Sequence, residues 1–317
     1  MPKVSVIIPV YGVEKYIERC ARSLFEQTLD DIEYLFIDDC TPDRSVEILR
    51  AILEEYSPRK EQVIIHRMEK NSGQAAVRKW GMQNATGEYV IHCDSDDWVD
   101  RDMYRTMYNK AKKENADVVV CDYFISDAKT NIYKKGYYSS NKEEYLKNVL
   151  EMKSSWALWN KLVKRDLLDY NSIEYPEDNM GEDMAVVTQI LLLVDRISFI
   201  DYAFYYYFNN STSVTRVLKV KPILKRFQQY VNNVIIVQRA VSKSKEYRNH
   251  PDLTFVIKWH AKRIIWPTIK DSQYFELWKN TFPEINKKVL TNTRVPTSEK
   301  LKFIFSYLRL YPRNRIN

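Results

Sequence analysis

Glycine is scarce in this chain, with 6 in 317 residues, against about 7% in average proteins. No G-x-x-x-x-G-K-[ST] run occurs, and the first apolar run is followed by YGVEKY with a single glycine. A phosphate-cradling P-loop and a dinucleotide fingerprint are therefore both missing, which removes ordinary ATPases and nicotinamide enzymes. Cysteine is sparse as well. Cys20, Cys40, Cys93 and Cys121 form no C-x-x-C pair, and a reduced, cytoplasmic chain is the expectation. The start MPKVSVIIPV has no signal-peptide h-region. No run of 18 uncharged apolar residues exists, since ILLLV (190–194) is closed by Asp195 and Arg196, so no membrane span is expected. The four histidines do not form a ligand set, and His66 and His92 fall inside apolar strands as core residues. Internal repeats and low-complexity tracts are absent.

What is present is an alternation. VSVIIPV (4–10), IEYLFID (32–38), QVIIHR (62–67), YVIHCD (89–94) and ADVVVCDYF (116–124) read as strands. Apolar residues at helical spacing separate them, as in Val13, Ile17, Cys20, Ala21 and Leu24. Such alternation predicts an α/β fold with a mostly parallel central sheet flanked by helices, and with ligands at the C-terminal ends of the strands. Further helices are predicted near 142–151 and from Glu182 to Leu193, and ISFI and AFYYYF read as two antiparallel strands. After about residue 217 only helical spacing returns, as in 227–243 and 253–265. The division expected is 1–216 for the α/β domain and 217–317 for a mainly helical C-terminal region.

The motifs sit at the predicted strand ends. VIHCDSDDWVD (90–100) delivers four aspartates to one point, where two carboxylates about 4 Å apart repel by roughly 4 kcal/mol at a protein surface. In an extended chain Asp94 and Asp96 share a side, and hard oxygen ligands favour Mg²⁺ or Mn²⁺. The bland alternative is that Asp96 or Asp97 caps the next helix, but one cap needs one acid. In DDCTPD (38–43) the carboxylates can accept from a base N–H or a ribose hydroxyl, whereas Thr41-Pro42-Asp43 is also good turn chemistry with Asp43 as a helix cap. Arg78 in NSGQAAVRKWG (71–81) is placed to reach a diphosphate, or else is a solvated residue of an amphipathic helix. Glu182 and Asp183 in MGEDMAV open a helix, either complementing its dipole or presenting a general base. The YYYF run (205–208) reads as packing.

Taken in order, VSVIIPVYGVEKYIERCARSLFEQTLDDIEYLFIDDCTPD, NSGQAAVRKWGMQNATGEYVIHCDSDDWVD, WNKLVKRDLL and GEDM strongly resemble family 2 of the glycosyltransferases, inverting enzymes of the GT-A fold, over about residues 2–216. The resemblance implies a nucleotide-sugar donor, usually with uracil, a glycan or lipid-linked acceptor, and Mn²⁺ or Mg²⁺. It implies that Pro9, Tyr11 and Glu14 cradle the nucleotide and that Asp39 reads the base. Arg78 would lie near the diphosphate, Asp94 and Asp96 would form the D-x-D pair with the metal on Asp96, and Asp183 would be the general base. WNKL (159–162) is similar to the acceptor-side segment, and NNSTSVTR (209–216) to the segment that closes over the phosphates. Cys40 replaces the usual glycine, Lys79 the usual asparagine, and Phe208 a frequent arginine.

Two other classes share parts of this pattern. A sugar-phosphate nucleotidyltransferase also uses acidic metal ligands, but with a Gly-rich loop that VYGVEKY does not supply. A non-catalytic nucleotide or nucleic-acid binding module would use the net charge of +7, but interleaved acids break any continuous basic stripe, and nucleic acid is not expected as a partner. The tail LKFIFSYLRLYPRNRIN (301–317) mixes apolar and basic residues. It suits either a peripheral contact with the inner face of an anionic membrane or a docked last helix.

Overall fold

A computed structural model describes residues 1–310, apart from 128, 140, 169–172 and 210–218. The strands are β1 (Val4–Val10), β2 (Ile32–Asp38), β3 (Val63–Arg67), β4 (Tyr89–His92), β5 (Trp98–Val99), β6 (Val118–Ser126), β7 (Asn131–Lys134), β8 (Lys161–Lys164) and β9 (Ile197–Phe208). They form one nine-stranded sheet in the order β3-β2-β1-β4-β8-β6-β9-β5, with β7 paired to β6. The first four strands are parallel to one another. Beyond them the sheet is mixed, because β8 enters antiparallel between β4 and β6. The two predicted strands ISFI and AFYYYF are one strand, β9. It runs parallel to β6, through a register shift at Asp122, and antiparallel to β5 on its other side. Exposed Asp201 and Tyr202 interrupt its apolar pattern at that irregularity, which is why the sequence suggests a break.

The helices of the α/β part are α1 (Ile17–Phe25), α2 (Ser45–Glu55), α3 (Gln74–Asn84), α4 (Met103–Glu114), α5 (Lys142–Leu150) and α6 (Glu182–Leu193). Side-chain alternation along the strands feeds two cores, one on each face of the sheet. Val6, Ile8, Phe36, Ile91 and Val119 pack with α1, α2 and α4. Ile7, Leu35, Val90, Val118 and Val163 pack with α3, α5 and α6. β2 is buried at every position, as a strand covered on both faces requires.

The remaining helices are α7 (Val220–Lys243), α8 (Phe255–Ile265), α9 (Ser272–Asn280), α10 (Pro283–Asn286) and α11 (Thr297–Tyr307). α7 belongs to both regions. Tyr230, Val234, Val237 and Val241 extend the core beneath α6. Phe227 joins Phe255, Trp259, Trp266, Trp278 and Phe303 in a separate aromatic cluster.

Candidate active site

Three loops meet at the C-terminal edge of β1, β2 and β4. The first two are stitched together by backbone donors. Gly12 N–H donates to Thr41 Oγ1 (2.9 Å), Val13 N–H to Ser45 Oγ (3.1 Å) and Glu14 N–H to Asp43 Oδ2 (3.0 Å). Asp43 also accepts from Ser45 N–H at 3.1 Å, but the N-cap position of α2 is Arg44, so Asp43 steadies the turn before the helix and is not its cap. Pro9 is the penultimate residue of β1, and its carbonyl accepts from Ser95 Oγ at 2.6 Å. Tyr11 is 51% exposed at the rim, and the Glu14 carboxylate accepts from Arg44 N–H. Cys40 has φ 57°, the left-handed conformation that glycine adopts without a Cβ penalty.

Asp39 is buried, and its two carboxylate oxygens accept from Ser72 N–H (2.7 Å) and Gly73 N–H (2.8 Å). It thereby fixes the chain that enters α3, with one further lone pair on each oxygen free to accept. Gly73 has φ +83°, and a Cβ there would lie 2.5 Å from Asn179 Nδ2. The same Asn179 accepts from Ala75 N–H at 3.0 Å. The start of α3 is thus locked against the segment that leads into α6.

That lock brings distant motifs together. Arg78, on α3, is buried rather than solvated. Its Nη2 donates to Asp94 Oδ1 at 2.6 Å, and its Nη1 pairs with Glu182. Burial pulls its pKa down, but the carboxylates of Glu182, Asp94 and Asp183 outweigh that and hold it protonated. Burial pushes Glu182 up to about 8 against the pull of Arg78. Burial also raises Asp183, while Arg78, the Met184 N–H at 2.8 Å and Lys161 pull it down. Gly181, at φ +81°, makes the turn into α6 and lies where a Cβ would press on Tyr230 at 2.9 Å. Lys161 of the WNKL segment is buried and donates to the Ser155 and Ala157 carbonyls and to Asn160 Oδ1. Burial lowers its pKa to about 7, with Asp183 opposing.

The four acids of 90–100 divide into two pairs. Asp97 accepts from the Tyr205 hydroxyl and from Phe208 N–H, each at 2.6 Å, and so ties the loop to the end of β9. Asp100 accepts from Asp102 N–H at 2.9 Å, at the entry to α4. Asp94 and Asp96 remain. Asp94 faces Arg78 and Gln74. The Asp96 carboxylate accepts from no other side chain among the described residues, and burial together with Asp94 raises its pKa to about 6.

These residues fit a divalent cation. Glu182, Asp183 and Asp96 all have raised proton affinities, as expected where four carboxyls share one arginine, and added positive charge would let them ionise. No group of three or more metal-binding side chains exists among the described residues. A cation on Asp96 would therefore draw most of its ligands from phosphate oxygens and water, the usual habit of Mg²⁺ at phosphate sites.

Tyr205 and Asn179 carry no motif signature, and the motif that holds Glu182 gives no sign of its pairing with Arg78. In the sequence Tyr205 is one of a YYYF run, yet it stacks on Trp159 at 4.2 Å and bonds both Asp94 N–H and Asp97. His92 is buried with neither ring nitrogen partnered among the described residues. His66 stacks on Trp80 at 3.8 Å. Of the 209–216 segment, 210–216 lies outside the described residues.

The model of the Glycosyl transferase family 2 matches residues 5–167. The chain is 31% identical over 226 residues to the Uncharacterized glycosyltransferase EpsJ of Bacillus subtilis (strain 168), a match that takes in 68% of this chain and 64% of that protein. It is 30% identical over 290 residues to the Putative glycosyltransferase EpsH of the same organism, covering 88% of this chain and 82% of that one. S. aureus TarS 1-349 in complex with UDP-GlcNAc superposes with a TM-score of 0.71 over 97% of this chain and 88% of that one, at 20% identity. This likeness shows the fold, which is GT-A.

Proposed function

Because the chain belongs to family 2 of the glycosyltransferases, we propose that it moves a sugar, with inversion, from a UDP-sugar to a hydroxyl of a glycan or lipid-linked acceptor. The observation that carries this reading is the Arg78 network. Through it the D-x-D acid Asp94 and the helix-opening pair Glu182-Asp183, some ninety residues apart, share one buried guanidinium.

In this reading Pro9, Tyr11 and Glu14 border the nucleotide, and a free lone pair of Asp39 accepts from the uracil N–H. Arg78 pairs with Asp94 and places positive charge beside the diphosphate. Asp96 holds Mn²⁺ or Mg²⁺, which when bound supplies charge neutralisation for the leaving diphosphate. Asp183 accepts the proton of the acceptor hydroxyl as its oxygen bonds to the anomeric carbon. The bond from that carbon to the phosphate oxygen breaks on the opposite face and releases UDP. Burial of Asp183 raises its proton affinity toward that of a working base. The apolar outer face of α11, described below, is assigned to a peripheral contact with an anionic membrane that carries a lipid-linked acceptor.

The test is a panel of sugar nucleotides incubated with the enzyme, in which slow hydrolysis identifies the donor. D183N should bind UDP as the wild type does while kcat falls by about 10²–10⁴-fold. Full activity in D183N would remove the base from this account.

A further inference from the structure

Arg19 lies on α1, carries no role in the proposed reaction, and is the residue by which that helix grips the D-x-D loop. Its Nη2 donates to the Asp96 carbonyl at 2.8 Å. Its guanidinium carbon sits 3.7 Å from the centre of the Trp98 ring and 4.7 Å from that of Phe208. Its Nε is buried without a hydrogen-bond partner among the described residues. Burial pulls its pKa down, and the carboxylates of Asp97 and Asp96 push it back. The side chain thus touches three parts of one corner. These are the backbone of the proposed metal ligand, the aromatic residue that begins β5, and the last residue of β9, whose N–H also holds Asp97.

The geometry points to Arg19 as a positioning residue for the cation site. It fixes the Asp96 backbone, so that the carboxylate is presented in one orientation, and clamps the loop between α1 and β9. The planar cation suits both tasks, since one face stacks on a ring while an N–H in its plane reaches a carbonyl. This inference rests on Asp96 as the metal residue. An asparagine there would leave the Arg19 contact intact, because Arg19 holds the carbonyl and not the carboxylate. Groups that orient a ligand from behind typically change metal affinity by about 10- to 100-fold when removed.

The test is Mn²⁺ binding in the presence of UDP, read as the loss of the free-ion electron paramagnetic signal, for wild type, D96N, R19M and R19K. R19M, which keeps bulk but no donor or charge, should weaken Mn²⁺ binding about 10- to 100-fold with an unchanged melting profile. R19K, which keeps the charge but not the planar fork, should fall between R19M and wild type. Wild-type affinity in R19M, with D96N unable to bind, would overturn the role of Arg19 alone. Wild-type affinity in D96N would overturn the metal assignment beneath it. If R19M fails to fold, R19K decides: weakened Mn²⁺ binding supports the role and unchanged binding contradicts it.

Discussion

Asp96 shows how a single residue carries two opposed demands. Its carboxyl is pushed from an ordinary 3.8 to about 6 by burial and by Asp94. A raised carboxyl pKa favours the folded state while the group is protonated. This contribution is whole below about pH 4 and is lost as pH rises through about 6. Above pH 6 the metal-free protein therefore holds a destabilising charge that a cation would relieve. D96N removes that charge. At about 1.4 kcal/mol per pH unit of displacement, it should stabilise the metal-free protein by up to about 3 kcal/mol at pH 8 and by almost nothing at pH 4. Urea unfolding at the two pH values checks this, and equal effects at both would contradict it. That Asp94 and Asp96 stand together just after β4 was legible in the sequence, because strand pattern and spacing suffice for it. The employment of Asp97 was not, because its partners Tyr205 and Phe208 lie more than a hundred residues away.

At the scale of elements, the site depends on how α3 and α6 present their first turns. Arg78 links them, and its removal would take the guanidinium away from half-buried Asp94 and buried Glu182. Breaking such a pair from one side costs about 3–5 kcal/mol. R78M should lose that much in urea unfolding, while R78M/E182Q should recover a large part of it. A double variant no more stable than R78M would show that the pair does not act as a unit. The helices were readable from apolar spacing, and α6 runs over the predicted residues, Glu182–Leu193. The short strands were not. β5 has two residues and β8 four, too few for a period to register, and the neighbours of β8 are chosen by tertiary packing. α7 begins at Val220, seven residues before the predicted run, because Pro222 and the charged Lys221, Lys225 and Arg226 mask the apolar spacing of Ile223 and Leu224 in its first turns.

The whole molecule joins the GT-A sheet to its helical end through α7, which shares residues with both cores. No helix among the described residues is long and apolar enough to cross a membrane. α11 docks through Phe303, as the docked-helix alternative predicts. Its other face exposes Leu301, Ile304, Phe305 and Leu308 beside Lys302 and Arg309, a mixture suited to an anionic interface. L301S/F305S should reduce co-sedimentation with anionic liposomes without changing slow donor hydrolysis, and undiminished co-sedimentation would rule that face out. The tail residues 311–317 lie outside the described residues.

Beneath the base, the acceptor and the membrane face stands the claim that Asp96 and a divalent ion together retain the donor's diphosphate. Calorimetric titration of the wild-type protein with UDP, in Mn²⁺ and in EDTA, tests it most directly. Binding in Mn²⁺ that disappears in EDTA, and disappears equally in D96N with Mn²⁺ present, is the predicted result. Equal UDP affinity under all three conditions would contradict it.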